Sequence, residues 1–170
     1  MPATGGVGLM DYTGTCVNKP AYPIAIVMQR RAVTNRWVDC IWEPWSVLAG
    51  TDLGEARLLV QTADAAQWIH PGFELVLHKD EAEGYYLNVS GPSPSVFILW
   101  RMEDERALPV DATVSSEEAG RWLDGGHSVD RVAMPPEIFA WLGDWVEHNY
   151  RPVPQQRFKR RSYKQPKDRV

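Results

Sequence analysis

The sequence predicts an α+β protein: an antiparallel sheet, curled or partly closed as a barrel, with a C-terminal helix packed on it and a shorter second helix. Three observations support this prediction: alternating apolar runs separated by turn residues, one continuous apolar run, and one amphipathic helix. At 170 residues, with 44% hydrophobic residues, the chain can bury one sizeable core. We expect a flexible arm over residues 1–21, a single globular domain over 22–150 and an extended basic tail over 151–170.

The first predicted strands form a hairpin near the start of the domain. Residues 23–30 place Ile24, Ile26 and Met28 on one side of a strand, and residues 37–42 do the same with Val38, Cys40 and Trp42. The turn residues 34–36, Thr-Asn-Arg, lie between them. Pro44 cannot donate a ladder hydrogen bond, so the second strand is expected to break there or to lie at a sheet edge. Residues 57–61 are a third candidate strand.

A second hairpin is predicted downstream. Residues 73–78 and 85–89 alternate as its two strands, and the acidic segment 79–84 is its turn. Residues 95–101 then contain the continuous apolar run VFILW, which is typical of a strand covered on both faces. This strand should be central in its sheet, and a polar loop over residues 102–106 should follow it.

Two helices are predicted in the C-terminal half. Ser115 or Ser116 can cap a short helix near residues 116–124, with Glu118 in the capping-box position and Gly125-Gly126 at its end. The helix over 136–150 starts with Pro-Pro-Glu, a favoured helix beginning, and carries one apolar stripe that should cover the sheet. The stripe consists of Ile138, Trp141, Leu142, Trp145 and Val146.

The charge is unevenly distributed along the chain. The formal net charge is −4, yet residues 151–170 hold eight basic side chains and one acidic side chain, a balance of +7. The preceding 150 residues therefore carry a balance of −11. An acidic body with a basic tail has consequences for binding partners and solubility rather than for fold.

Motifs that would indicate catalysis or a bound ion are absent from the sequence. The four histidines are scattered, Cys16 and Cys40 form no C-x-x-C pair, and there is no nucleophile elbow, phosphate-binding loop or dinucleotide fingerprint. The sequence therefore predicts a non-catalytic protein without metal or cofactor, although an undetected active site stays open as an alternative. The N-terminal residues resemble no signal peptide and no segment has the length of a membrane span, so we expect a cytoplasmic protein.

The basic tail is the first candidate binding segment. Arg157, Lys159, Arg160 and Arg161 are interleaved with aromatic side chains, a composition that can contact phosphates and stack on bases, or dock on an acidic protein. The acidic body would repel a duplex wherever it came close. A protein partner is therefore favoured, and RNA or DNA binding through the tail is the alternative.

The second candidate is an arginine- and tryptophan-rich segment in the first hairpin. Arg30, Arg31, Arg36 and Trp37 lie close together in RRAVTNRWVDCIWEPW, and these two residue types are enriched at the energetic centres of protein interfaces. The alternative is that the later tryptophans of this segment are core and the arginines are simple edge charges that discourage strand aggregation.

Three stretches of the chain resemble a bacterial family of small uncharacterised proteins whose genes commonly lie beside those of molybdenum-dependent formate dehydrogenases. These stretches are RRAVTNRWVDCIWEPWSVL, GFELVLHKDEAEGYYLNVSGPSPSVFILWR and SSEEAGRWLDGGHSVDRVAMPPEIFAWLGDWVEHNY, and the likeness covers roughly residues 22–160. The resemblance implies an accessory role in maturation, cofactor insertion or assembly, with a formate dehydrogenase subunit as the partner. It supplies no catalytic residues.

Overall fold

The computed structural model describes residues 19–154 of the chain. Residues 1–18 and 155–170, which hold most of the predicted arm and tail, lie outside this range. Within the described residues the elements are β1 (Ala21–Ala32), β2 (Cys40–Ala49), β3 (Arg57–Gln61), β4 (Ala65–Val76), α1 (Ala82–Val89), β5 (Ser95–Glu103), β6 (Arg106–Thr113), α2 (Ser116–Asp124), β7 (Ser128–Ala133) and α3 (Pro136–Asn149).

The strands form two antiparallel sheets, which confirms the predicted α+β class. The first sheet has four strands in the order β2-β1-β4-β3, and the second has three in the order β6-β5-β7. The strands thus lie in two sheets instead of one curled sheet, and over residues 19–154 they close no barrel. The central position of β5 and the edge position of β2, the strand that contains Pro44, agree with the sequence prediction.

The main core lies between the two sheets and α3. β1 directs Ile24, Ile26 and Met28 into this core, and we call the face of the first sheet that carries them its inner face. The apolar stripe of α3 packs on the same core, so the predicted covering helix is confirmed. The fully covered members of the stripe are Ile138, Leu142 and Val146.

The two tryptophans of the α3 stripe are half-buried and pack edge-on against tyrosines. Trp141 lies 5.2 Å from Tyr22 of β1, and Trp145 lies 5.4 Å from Tyr85 of α1, measured between ring centroids. Edge-on aromatic pairs of this kind add roughly 0.5–1.5 kcal/mol beyond simple burial. They fix the position of α3 against both the sheet and α1.

The outer face of the first sheet carries a smaller apolar cluster. Ala25 and Val27 of β1 and Ile69 of β4 are buried there, with Leu53 packed against them. Since β2 and β3 lie at opposite edges, the connection between them has to cross this face, and Leu53 belongs to that crossing segment.

The second predicted hairpin is wrong, because residues 82–89 form helix α1 and not a strand. The apparent alternation of Tyr85, Leu87 and Val89 misled the prediction: Tyr85 and Asn88, three positions apart, are buried, whereas Leu87 is half exposed. The Tyr85 hydroxyl accepts a hydrogen bond from the backbone N–H of His78 at 3.0 Å. Burial raises the pKa of Tyr85 to about 12 and so favours the neutral phenol.

The predicted short helix is confirmed as α2, with Ser115 as its N-cap. The Ser115 hydroxyl accepts from the Glu118 backbone N–H at 3.1 Å, and Gly125 is the C-cap that follows the last helical residue, Asp124. In a full capping box the Glu118 carboxylate would accept from the Ser115 backbone N–H. Here the Ser115 N–H donates instead to the Thr113 hydroxyl at 3.1 Å. That hydroxyl in turn donates to the Glu118 carboxylate at 2.5 Å.

The remaining differences concern strand ends and two unpredicted strands. β2 begins only at Cys40, so the first part of the predicted strand 37–42 belongs to a loop. β4 begins at Ala65, well before the predicted residue 73. Strands β6 and β7 flank β5, and the predicted loop 102–106 reduces to a tight turn at Asp104 and Glu105, which both have positive φ.

Candidate partner-binding surface

The loop between β1 and β2 presents a tryptophan to solvent. The Val33 N–H donates to the Asp39 carbonyl at 3.1 Å and closes the loop, while the Trp37 N–H donates to the Asn35 side-chain oxygen at 3.1 Å. Trp37 is 81% exposed, which is unusual for so large an apolar side chain. The guanidinium carbon of Arg36 lies 5.2 Å from the centroid of this indole, within the range of a cation–π contact.

A second arginine stacks on a tryptophan at the same end of the sheet. Arg30 of β1 is paired with Trp42 of β2, and its guanidinium carbon lies 5.7 Å from the ring centroid of Trp68 on β4. Trp42 and Trp68 are themselves 5.2 Å apart. All three side chains belong to the inner face, where Trp42 also packs against the main core.

We call these five residues the Arg/Trp surface: Arg30, Arg36, Trp37, Trp42 and Trp68. Neither Arg30 nor Arg36 forms an ion pair with a carboxylate among residues 19–154. Their guanidinium donors are thus available to a partner while stacking limits the motion of both side chains. The result is a cationic, aromatic area on a body that is acidic as a whole.

The structure separates Arg31 from the other predicted arginines. Successive side chains of a strand point to opposite faces, so Arg31 lies on the outer face, where its Nε donates to Glu43 Oε1 at 3.4 Å. Glu43 also accepts from Gln29 at 3.5 Å, and Gln29 accepts from Gln67 at 2.7 Å. Arg31 therefore ends a polar ladder across three strands and does not belong to the Arg/Trp surface.

The interpretation that the hairpin tryptophans are simply core holds only in part. Trp42 is half-buried against the main core, whereas Trp45 is more than half exposed. Sequence reasoning missed Trp68, because residues 65–72 contain Pro71 and Gly72 and were not identified as part of a strand. Its signal was only the weak alternation of Ala66, Trp68 and His70.

An apolar strand borders the Arg/Trp surface. Leu58 of β3 is paired with Trp68 and lies on the same face, and Leu59 and Val60 follow it. All three side chains are more than one third exposed. The first sheet therefore carries solvent-exposed apolar groups from its hairpin loop to its β3 edge.

The other predicted site residues, Arg157, Lys159, Arg160 and Arg161, lie outside the described residues. Within residues 19–154 no three His, Cys, Asp or Glu side chains come together as a metal site would require. None of the helices in this range has the length and apolar character needed to cross a membrane.

Comparison with protein families places the chain. Residues 23–161 match the model of a family described as Protein of unknown function (DUF3305). The chain belongs to the DUF3305 family. The DUF3305 match runs from β1 through α3 and includes the whole Arg/Trp surface and the four basic tail residues named above. No curated protein and no solved structure matches the chain at a significant level.

Proposed function

We propose that this DUF3305 protein is a cytoplasmic, non-catalytic accessory protein that binds a molybdoenzyme during its maturation or assembly. The observation that carries the binding role is the exposed indole of Trp37 under the guanidinium of Arg36. The choice of formate dehydrogenase as partner rests on the resemblance of the sequence to proteins encoded beside such enzymes.

The Arg/Trp surface has the composition of an interface centre. Trp and Arg are enriched among the residues that contribute most to interface energetics. Trp gives a large rigid contact, and the planar guanidinium of Arg loses less entropy per hydrogen bond formed. Covering an exposed indole removes apolar area from water at roughly 25 cal/mol per Å². Stacking of Arg30 on Trp68 and of Arg36 on Trp37 orders both cations before the partner arrives, which lowers the entropic cost of association.

Truncation of Trp37 to alanine should weaken binding to purified formate dehydrogenase by about thirtyfold, the effect of losing an interface residue worth about 2 kcal/mol. Biolayer interferometry with the immobilised enzyme measures the dissociation constant. Because Trp37 lies in a loop and is 81% exposed, the stability of the variant should be unchanged.

Phe139→Ala is the matched control for this experiment. Phe139 is also a partly exposed aromatic residue, but it lies in the first turn of α3 and outside the Arg/Trp surface. The control should bind like the wild type. Equal affinities for the wild type and the Trp37 variant would remove the Arg/Trp surface from the proposal.

The basic tail gives the proposal a second test. Changing Arg157, Lys159, Arg160 and Arg161 to Glu should weaken capture of the dehydrogenase while leaving the unfolding transition of the domain unchanged, since long-range charge acts on association more than on fold. A pull-down at low ionic strength measures the capture. If capture is unaffected, the tail has no part in partner binding.

The tail composition also favours a second candidate, an RNA- or DNA-binding regulator. Phosphate-driven binding must fall steeply as salt rises, so mobility shifts at two salt concentrations separate the two functions. Under our proposal, neither RNA nor DNA shifts in mobility at low salt. A salt-sensitive shift that the four tail substitutions abolish would favour the regulator.

A further inference from the structure

The edge strand β3 differs from the other three edge strands in having neither proline nor charge in its interior. Exposed sheet edges are commonly blunted by proline or by charges, because free N–H and C=O groups otherwise pair with another chain. Of the other edge strands, β2 contains Pro44, β6 contains Pro109, and β7 carries Asp130 and Arg131. β3 has neither proline nor charge between its end residues, only Leu58, Leu59 and Val60.

One of these three residues has no pairing partner in β4. A bulge between Leu58 and Val60 gives Leu59 no partner in β4, while both flanking residues are paired. A bulge disrupts the ladder locally and leaves the extra residue unpaired. The backbone of Leu59 and the outer edge of β3 thus have hydrogen-bonding groups that β4 does not use.

From these features we infer that β3 binds an extended segment of the protein partner, which adds to the first sheet as a further strand beside β3. Such a segment gains main-chain hydrogen bonds along β3 and places alternate apolar side chains against Leu58 on one face and Val60 on the other. This inference rests on the proposed function, because the segment belongs to the same partner.

The exposed area of β3 favours a single extended segment over a second copy of the chain. A stable interface between globular surfaces buries about 800 Å² on each side, which three partly exposed side chains cannot supply. Strand addition needs less side-chain area because the backbone contributes to it. The site is also continuous with the Arg/Trp surface, since Leu58 and Trp68 are paired on the same face.

Leu59→Lys tests the inference, because a lysine on a sheet edge opposes the pairing of a further strand. Leu59 is 41% exposed, so the domain should fold normally, as circular dichroism and thermal unfolding would verify. We expect binding to immobilised formate dehydrogenase to weaken about tenfold or more. Hydrogen exchange should also show protection of the amides of β3 when the wild-type complex forms.

The matched control is Val110→Lys. Val110 is 43% exposed and lies on the edge strand β6, beside the protecting Pro109. The control should bind with wild-type affinity. If the wild type and Leu59→Lys bind the enzyme equally, strand addition is overturned while the proposed function stands. If the wild type does not bind the enzyme, both fail.

Light scattering of the purified wild type tests whether a second copy of the chain, instead of a partner segment, occupies the edge of β3. A monomer supports the inference. A dimer that Leu59→Lys converts to a monomer, and that Val110→Lys leaves intact, would overturn it, because β3 would then be occupied by a second copy of the chain.

Discussion

Replacing Asn88 with alanine should lower the free energy of unfolding by about 3 kcal/mol, because three buried hydrogen bonds would be lost together. The Asn88 amide nitrogen donates to the carbonyls of Ser95 at 2.7 Å and Val114 at 2.8 Å. Its oxygen accepts from the Ser95 N–H at 2.9 Å. The side chain thus ties α1 to the beginning of β5 and to the residue that follows β6. Urea denaturation measures the effect.

Asn149→Ala is the control for this prediction. Asn149 is exposed at the end of α3, and the one hydrogen bond that its amide donates within residues 19–154 goes to the Trp145 carbonyl of the same helix, at 2.8 Å. Loss of an exposed hydrogen bond exchanges one partner for water and should change stability by less than about 1 kcal/mol. If both variants unfold at the same urea concentration, the Asn88 bonds do not stabilise the attachment of α1 to the second sheet.

Gly84→Ala should destabilise the protein by roughly 1–3 kcal/mol, although alanine favours a helix over glycine. A Cβ at this position of α1 would lie 2.4 Å from the Ser115 hydroxyl oxygen. Ser115 is fully buried, caps α2 and donates to Glu81 at 2.6 Å. The hydroxyl cannot move aside without losing the cap and this bond. Thermal or urea unfolding measures the loss.

The chain offers two controls with the same substitution. At Gly120 in α2 and Gly143 in α3, an added Cβ would meet no atom within 4 Å among the described residues, apart from the local helix backbone and the chain neighbours. Alanine at either position should be neutral or should stabilise the protein by up to about 1 kcal/mol, because it reduces the conformational freedom of the unfolded chain. A Gly84 variant as stable as these controls would contradict the close packing of α1 on Ser115.

Elements with a long and unambiguous pattern were predictable from the sequence. β5 is continuously apolar, and α3 combines a proline start with an apolar stripe, so local preference and burial agree in both. The prediction for α1 was wrong because a short segment with apolar residues at every second position is compatible with both a strand and a helix. β6 and β7 were missed because Pro109, Asp111, Asp130 and Arg131, which suit sheet edges, weaken the strand pattern.

The sequence predicted which residue types form the candidate site, but not how their side chains are arranged. The segment around Arg30, Arg36 and Trp37 was identified from residue types alone, and the loop position of Trp37 makes it more exposed than a strand position would. Strand alternation, applied strictly, would have separated Arg31 from Arg30. The stacking of Arg30 on Trp68 depends on the long-range pairing of β1 with β4, about which local sequence carries no information.

The strand order β2-β1-β4-β3 also bears on how the protein folds. β1 and β2 are neighbours in sequence and can pair through a short loop, as can β3 and β4. The residues that pair between β1 and β4 are much farther apart in sequence, from Arg31 with Ala65 to Ala21 with Val76. Bringing β1 and β4 together lowers the conformational entropy of the chain before the contacts between them can stabilise the sheet. We therefore expect the two hairpins to form before β1 pairs with β4, and we expect that pairing to limit the rate at which the first sheet assembles.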